Sequence, residues 1–249
     1  LGIVVSRYRA VLEYDGTEFL GFQRQARGRT VQGEVEAGLR RMGWAGKTIW
    51  GAGRTDTGVH AAGQVIAFDL DWAHGEPALL RALNANLPVD VSVRSVAEGA
   101  PEFHPRFAAK ARRYRYTLYS APARSALNAR YAWHVWQPLA VPAMQRAADQ
   151  LLGTHDFATF GTDPDEGGST VRTVSVAHWS SRGPELTFDI QAEAFLYRMV
   201  RSIVGALKQV GAGEMTPAEF ERVLHARDRS QCPPLAPAHG LCLMEVLYS

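Results

Sequence analysis

Residues 7–14 (RYRAVLEY) alternate apolar and polar positions with a period of two, which predicts a first strand. After Thr30 the period lengthens. Val31, Val35, Leu39 and Met42 fall on one helical face. Thr30 has the chemistry of an N-cap, Glu34 and Glu36 lie early, Arg40 and Arg41 late, and Gly43 marks the stop. Ile49 and Trp50 lead as apolar strand into a glycine-flanked loop, and Val65, Ala67 and Leu70 suggest a return strand. Pro77 opens a second helix with Leu79, Leu80 and Leu83 on one side; residues 84–88 close it and residues 89–96 read as a strand. The first half thus runs strand, helix, strand, strand, helix, strand, the order of a ferredoxin-like α+β unit with helices on one sheet face.

The composition changes near residue 105, which divides the chain into residues 1–105 and 106–249. In the second part, residues 111–119 (ARRYRYTLY) split cleanly as a strand. Arg112, Tyr114, Tyr116 and Leu118 share one side; Arg113, Arg115, Thr117 and Tyr119 share the other. Tyr116 is expected in the core. A short aromatic strand over 131–136 precedes a helix opened by Pro142, with Met144, Ala147, Ala148 and Leu151 inward. Residues 170–179 and 185–192 read as paired strands turning at Arg182-Gly183-Pro184. A helix is predicted from Phe195, with Leu196, Met199, Val200, Ile203, Leu207 and Val210 on its apolar arc. Thr216 and Pro217 start another, and residues 244–248 form the last strand. His155 and Asp156 are adjacent and point apart on a strand, so a structural role is expected. The polar, acidic run 162–169 is expected to be a mobile loop.

At 249 residues and 46% hydrophobic, the chain has ample material for a buried core. No apolar run approaches the length that spans a bilayer, and the N-terminus lacks an export pattern, so a cytoplasmic protein without membrane partners is expected. The chain opens on Leu1, which leaves its native start unassigned. Cys232 and Cys242, ten residues apart, match no zinc or redox spacing and are expected to be reduced. A net charge of +2 says little for nucleic-acid binding, but the distribution says more. Between Glu102 and Asp149 there is no acidic residue, while Arg106, Lys110, Arg112, Arg113, Arg115, Arg124, Arg130 and Arg146 fall there. Such segregation builds a phosphate-facing surface on a nearly neutral chain.

The candidate chemistry centres on residues 51–70, GAGRTDTGVHAAGQVIAFDL. Gly51-Ala52-Gly53 reads as a flexible turn, and Arg54 and Asp56 share a face if the segment is extended. A guanidinium there would hold the carboxylate ionised and aimed, fit to act as nucleophile, general base or metal ligand. A turn-capping Asp beside a surface Arg is equally compatible with this pair alone. Arg24, Arg27 and Arg29 with Gly28 form a basic loop able to grip RNA phosphates or simply to be solvated. Arg113 and Arg115, alternating with tyrosines, fit an RNA-binding strand. Asp15-Gly16-Thr17 resembles part of the haloacid-dehalogenase phosphatase motif. Glu13 stands where that nucleophile would be, so Asp15 is read as a turn residue.

The string Gly53-Arg54-Thr55-Asp56-Thr57-Gly58-Val59-His60-Ala61 resembles the catalytic motif of the tRNA pseudouridine synthase A family. Residues 19–25, 84–88, 112–119, 195–205 and 236–241 resemble further family segments in the same order. The resemblance implies that Asp56 is the nucleophile, that Arg54 steadies the displaced nucleotide, and that Arg201 is the basic partner of Asp56. It implies that Tyr114 contacts the target uracil, and it supports RNA contact at Arg24, Arg27 and Arg29. The implied substrate is uridine at positions 38 to 40 of the tRNA anticodon stem-loop, converted to pseudouridine without cofactor or metal. The implied architecture is two related α/β halves in a continuous curved antiparallel sheet, helices on one face, with a central catalytic cleft and a homodimer. A non-catalytic RNA-binding module would not need Asp56, and a carboxylate glycosidase would usually need a second acid opposite it.

Overall fold

The computed structural model describes residues 5–163 and 167–249; the centre of the acidic loop read as mobile, residues 164–166, lies outside the described residues. The described residues form ten strands and five α-helices, an α+β fold. They fall into two compact units: the chain up to Lys110 together with Leu243–Ser249, and Ala111–Cys242.

The first unit contains β1 (Val5–Tyr14), α1 (Val31–Arg41), β2 (Trp50–Gly51), β3 (His60–Asp71), α2 (Gly75–Ala85), β4 (Val91–Glu98) and most of β10 (Leu241–Leu247). β1 lies between β4 and β3, antiparallel to both; β2 and β10 also pair with β3. Tyr8, Ala10, Leu12 and Tyr14 of β1 are buried, as the alternation demands. α1 starts where Thr30 accepts a hydrogen bond from the Gly33 amide, and Val31, Val35 and Leu39 are buried. α2 buries Leu79 and Leu83, and Asn84 ties it to β4 by pairing with both backbone groups of Val93 at 2.8 and 2.9 Å.

The second unit orders its strands β5 (Ala111–Ser120), β9 (Glu185–Ala192), β8 (Val171–Arg182), β7 (Gly153–Asp156), all antiparallel, with β6 (Trp133–Val135) parallel to β5. Its helices are α3 (Val141–Asp149), α4 (Met199–Gly211) and α5 (Pro217–Ala226). Thr216 and Glu219 form a reciprocal capping box on α5. Tyr116 is fully buried and its hydroxyl donates to the Pro237 carbonyl at 2.7 Å; burial pushes its phenol far above the usual range. Asp156 accepts from the Ala158 amide and the Thr170 hydroxyl and pairs with Arg227, while His155 pairs with the Leu152 carbonyl, so the two neighbours hold different local contacts.

Several boundaries differ from the sequence reading. α4 begins at Met199, four residues after Phe195, because Arg198 sits at φ 63° and the Tyr197 amide donates to Thr162 O at 2.9 Å in an isolated bridge. α2 starts two residues before Pro77, and β10 starts at Leu241. β3 begins at His60, so that histidine belongs to the strand and not to the loop.

Candidate active site

The loop between β2 and β3 is fixed from several sides within the first unit. The Ala52 amide donates to Val65 O at 2.8 Å, and Gln64, fully buried on β3, donates to Gly53 O at 2.9 Å. Thr55 is 7% exposed, its Oγ1 lying 2.8 Å from the Tyr14 hydroxyl. The Thr55 carbonyl accepts from the Phe22 amide at 3.0 Å. Next, the Val59 amide donates to Asp56 O at 3.1 Å, closing a turn in which Gly58 takes φ 77°. That is the third position of a type II turn, where only residues without a side-chain penalty fit comfortably.

The second clamp comes from the stretch after β1. Gly21 has φ 94°, and a Cβ placed there would stand 2.7 Å from Thr55 O and 3.3 Å from the Asp56 carbonyl carbon. Phe19 O accepts from the Gly58 amide at 3.3 Å. Beneath both segments lies His60, 5% exposed, with Nδ1 3.0 Å from the Gly16 amide nitrogen and 3.2 Å from Asp15 Oδ1. Asp15 also accepts from the Thr17 amide at 3.0 Å, as expected of a turn residue. Asp56 is half-buried on this scaffold and Arg54 is exposed.

The basic residues separate into distinct environments. Arg29 pairs with Glu34 at 2.8 Å and with both oxygens of Asp90 at 2.5 and 2.8 Å, and its guanidinium lies 4.3 Å from the Phe19 ring centre. Hydrogen bonding to Asp90 raises its already high pKa. Arg24 pairs with Glu36, whose side chain is fully buried. Arg27 is exposed. Arg115 pairs with both oxygens of Asp189, directly opposite on β9, at 3.0 and 2.9 Å, and that pairing raises its pKa. Arg113 is half-buried on the same strand face.

Within the second unit three of the motif segments meet. Tyr114 stands edge-on to Phe195, ring centres 5.0 Å apart at 85°. Arg201, half-buried on α4, donates from Nε to Ala236 O at 2.9 Å, and the Ala236 amide donates back to Arg201 O at 3.1 Å. Pro237, next in line, receives the Tyr116 hydroxyl. Among the described residues, no group of three or more His, Cys, Asp or Glu side chains is placed to hold a metal ion, and no helix is long and apolar enough to cross a membrane.

The sequence reading missed Tyr14, Gln64 and Gly21 as supports of the loop. Alternation marks Tyr14 only as buried, and nothing local to Gln64 announces its partner 11 residues back.

A model of a family described as tRNA pseudouridine synthase matches residues 10–108 and 147–249. The chain is 43% identical over 247 residues to the tRNA pseudouridine synthase A of Geobacillus kaustophilus, covering 98% of this chain and 95% of that protein. It is 45% identical over 231 residues to that of Halalkalibacterium halodurans, covering 92% and 87%. To that of Caulobacter vibrioides it is 43% identical over 243 residues, covering 97% and 98%. A rigidly held loop presenting an acid and an exposed arginine, on an α+β scaffold, is the setting of an RNA-modifying isomerase. The chain belongs to the tRNA pseudouridine synthase family.

Proposed function

We propose that this protein isomerises uridine to pseudouridine at positions 38 to 40 of the tRNA anticodon stem-loop, with Asp56 as nucleophile. The observation that carries the reading is the Asp56 loop itself: clamped by Tyr14, Phe22 and Gln64, with Asp56 only partly buried on it. Nucleophiles need this combination of fixed backbone and open approach. The reaction breaks the N1–C1′ bond, joins C5 to C1′, releases the C5 proton and returns a proton to N1. It is redox-neutral, so a carboxylate that adds and later leaves balances it. Attack at C6 of the base and attack at C1′ of the ribose both satisfy this balance.

The other roles follow the family motifs. Arg54, exposed beside the nucleophile, steadies the nucleotide once its base leaves the stack. Tyr114 contacts the uracil, and Arg201 is the basic partner that favours the charged form of Asp56. Arg24, Arg27, Arg29, Arg113 and Arg115 are the proposed RNA-phosphate contacts. Among them Arg27 is open to solvent, whereas Arg24, Arg29 and Arg115 have acidic partners to leave or share. A homodimer acting in the cytoplasm completes the proposal, and mass measurement in solution checks the assembly. The activity is tested with tRNA tritiated at uridine C5. Tritium is released by the wild type and not by Asp56→Asn; release by the variant at the wild-type rate removes Asp56 as nucleophile.

A further inference from the structure

The strand register of the first unit places Arg7, Arg9, Asp69, Ala67 and Trp50 on one sheet face, because directly opposed residues share a face. This is the face opposite buried Tyr8, Ala10 and Leu12. Arg7 organises it. Its guanidinium pairs with both oxygens of Asp69, donates to Phe103 O at 2.9 Å and lies 4.3 Å from the Trp50 ring centre. The bond to Phe103 draws residues 103–107 over the sheet.

That segment continues the row of planar groups. The His104 ring lies 6.4 Å from Trp50, tilted by 59°, and Phe107 lies 4.4 Å from His104 at 30° between planes. His104 is held in place by its own turn: its Nδ1 accepts the Arg106 amide at 3.2 Å and its carbonyl accepts the Ala108 amide at 3.0 Å. The row therefore runs Arg7, Trp50, His104, Phe107. It ends on a ring that is 77% exposed, with Arg106 beside it at 5.9 Å and exposed Lys110 three residues on. A large aromatic left that open at the end of a row of ring contacts, next to two cations, has the chemistry of a platform for an unpaired nucleobase. Its inner member, Trp50, lies on β2, the two-residue strand that leads into the Asp56 loop.

We propose that Phe107 is a stacking site for an unpaired base of the RNA substrate, extending the Arg7–Trp50–His104 row by one member. This rests on the RNA-modifying activity proposed above. A base stacked there retains the sequence tolerance of stacking, since every base has a π-face, and Arg106 supplies the charge for the adjoining phosphate.

Steady-state tritium release from C5-tritiated tRNA tests the site with Phe107→Ala, Phe107→Leu and Phe107→Trp. Because the ring is exposed, folding is expected to survive, and the melting temperature of each variant verifies it. The expected result is a KM raised roughly 5- to 100-fold in Phe107→Ala with kcat held. Phe107→Leu, apolar but without a π-face, tracks Phe107→Ala, and Phe107→Trp restores KM. An unchanged KM in Phe107→Ala, or full recovery by Phe107→Leu, overturns the stacking site while the enzyme reading stands. A wild type that releases no tritium overturns the activity and this site with it.

Discussion

The Tyr14 hydroxyl and Thr55 Oγ1 stand 2.8 Å apart in a buried position, one residue before Asp56. This pair connects the end of β1 to the motif loop. Tyr14→Phe removes a hydroxyl and leaves Thr55 to find another partner in a dry site, at a cost of about 1–3 kcal/mol. A displacement of about 1 Å in a nucleophile costs up to about 100-fold in rate. Tyr14→Phe and Thr55→Val are therefore each expected to lower kcat roughly 10- to 100-fold with KM little changed. The double variant should be no worse than the poorer single one, because both remove the same bond. Fully additive losses would show that the two residues act separately.

Gly21 and Gly58 both adopt left-handed backbone around Asp56, at φ 94° and 77°. A side chain at either position meets a conformational cost of about 1–2 kcal/mol. Gly21→Ala adds a collision, since its Cβ would press on Thr55 O at 2.7 Å. The melting temperature of Gly21→Ala should therefore fall further than the conformational cost alone dictates, at ~2–4 °C per kcal/mol for a chain of this size. Gly21→Ala should also lose activity, because relief of the clash moves the peptide that carries Asp56. A fall no larger than the conformational cost would mean the loop yields without resistance.

The sequence made the elements legible where one periodicity dominated. The β1 alternation, the Val31–Leu39 face and the Tyr116 core position are all present in the structure. It failed where an element boundary depends on a distant partner, as when Thr162 pairs with Tyr197 and delays α4 to Met199. The same limit governs the site. The glycines of Gly51-Ala52-Gly53 drew attention as the flexible turn, yet the left-handed positions are Gly58 and Gly21, and the latter lies on another segment. Charge marks Arg29 as a candidate phosphate contact, while its pairing with Asp90, 61 residues away, is beyond local inference.

Arg27 and Arg29, both proposed RNA contacts, differ in what else they hold. Arg29→Gln breaks the contacts to Asp90 and Glu34 and unstacks Phe19, which lies against the Asp56 loop. It is expected to lower the melting temperature by a few degrees, ~2–4 °C per kcal/mol lost. Arg27→Gln should leave the melting temperature in place and weaken tRNA binding, with the slope of log K against log salt falling by about one unit if one phosphate contact is lost. A salt slope identical to wild type would remove Arg27 from the RNA surface.

His104 gives the protein a predictable acid sensitivity. Burial, then the positive charges of Arg7 and Arg106, lower its pKa from the ordinary 6.5. In the unfolded chain the imidazole regains that ordinary value, so below about pH 6.5 the unfolded state takes up a proton that the folded state resists. More protons bound in the unfolded state means that stability falls as pH falls, from about 6.5 down through the lower folded value, and is flat in this respect above about 7.5. Hydrogen bonds from Thr216 and Ser230 hold Glu219 and Asp228 below their usual pKa values, and their contributions fade only in the carboxylate range near pH 4 and below. Melting temperatures at pH 7.5 and 5.5 therefore isolate the imidazole when wild type is compared with His104→Phe, which keeps a ring against Trp50 and Phe107 but cannot titrate. The wild type should lose ~1–3 °C more than the variant between these two conditions. An equal loss in both would mean that His104 accepts its proton as readily in the fold as out of it.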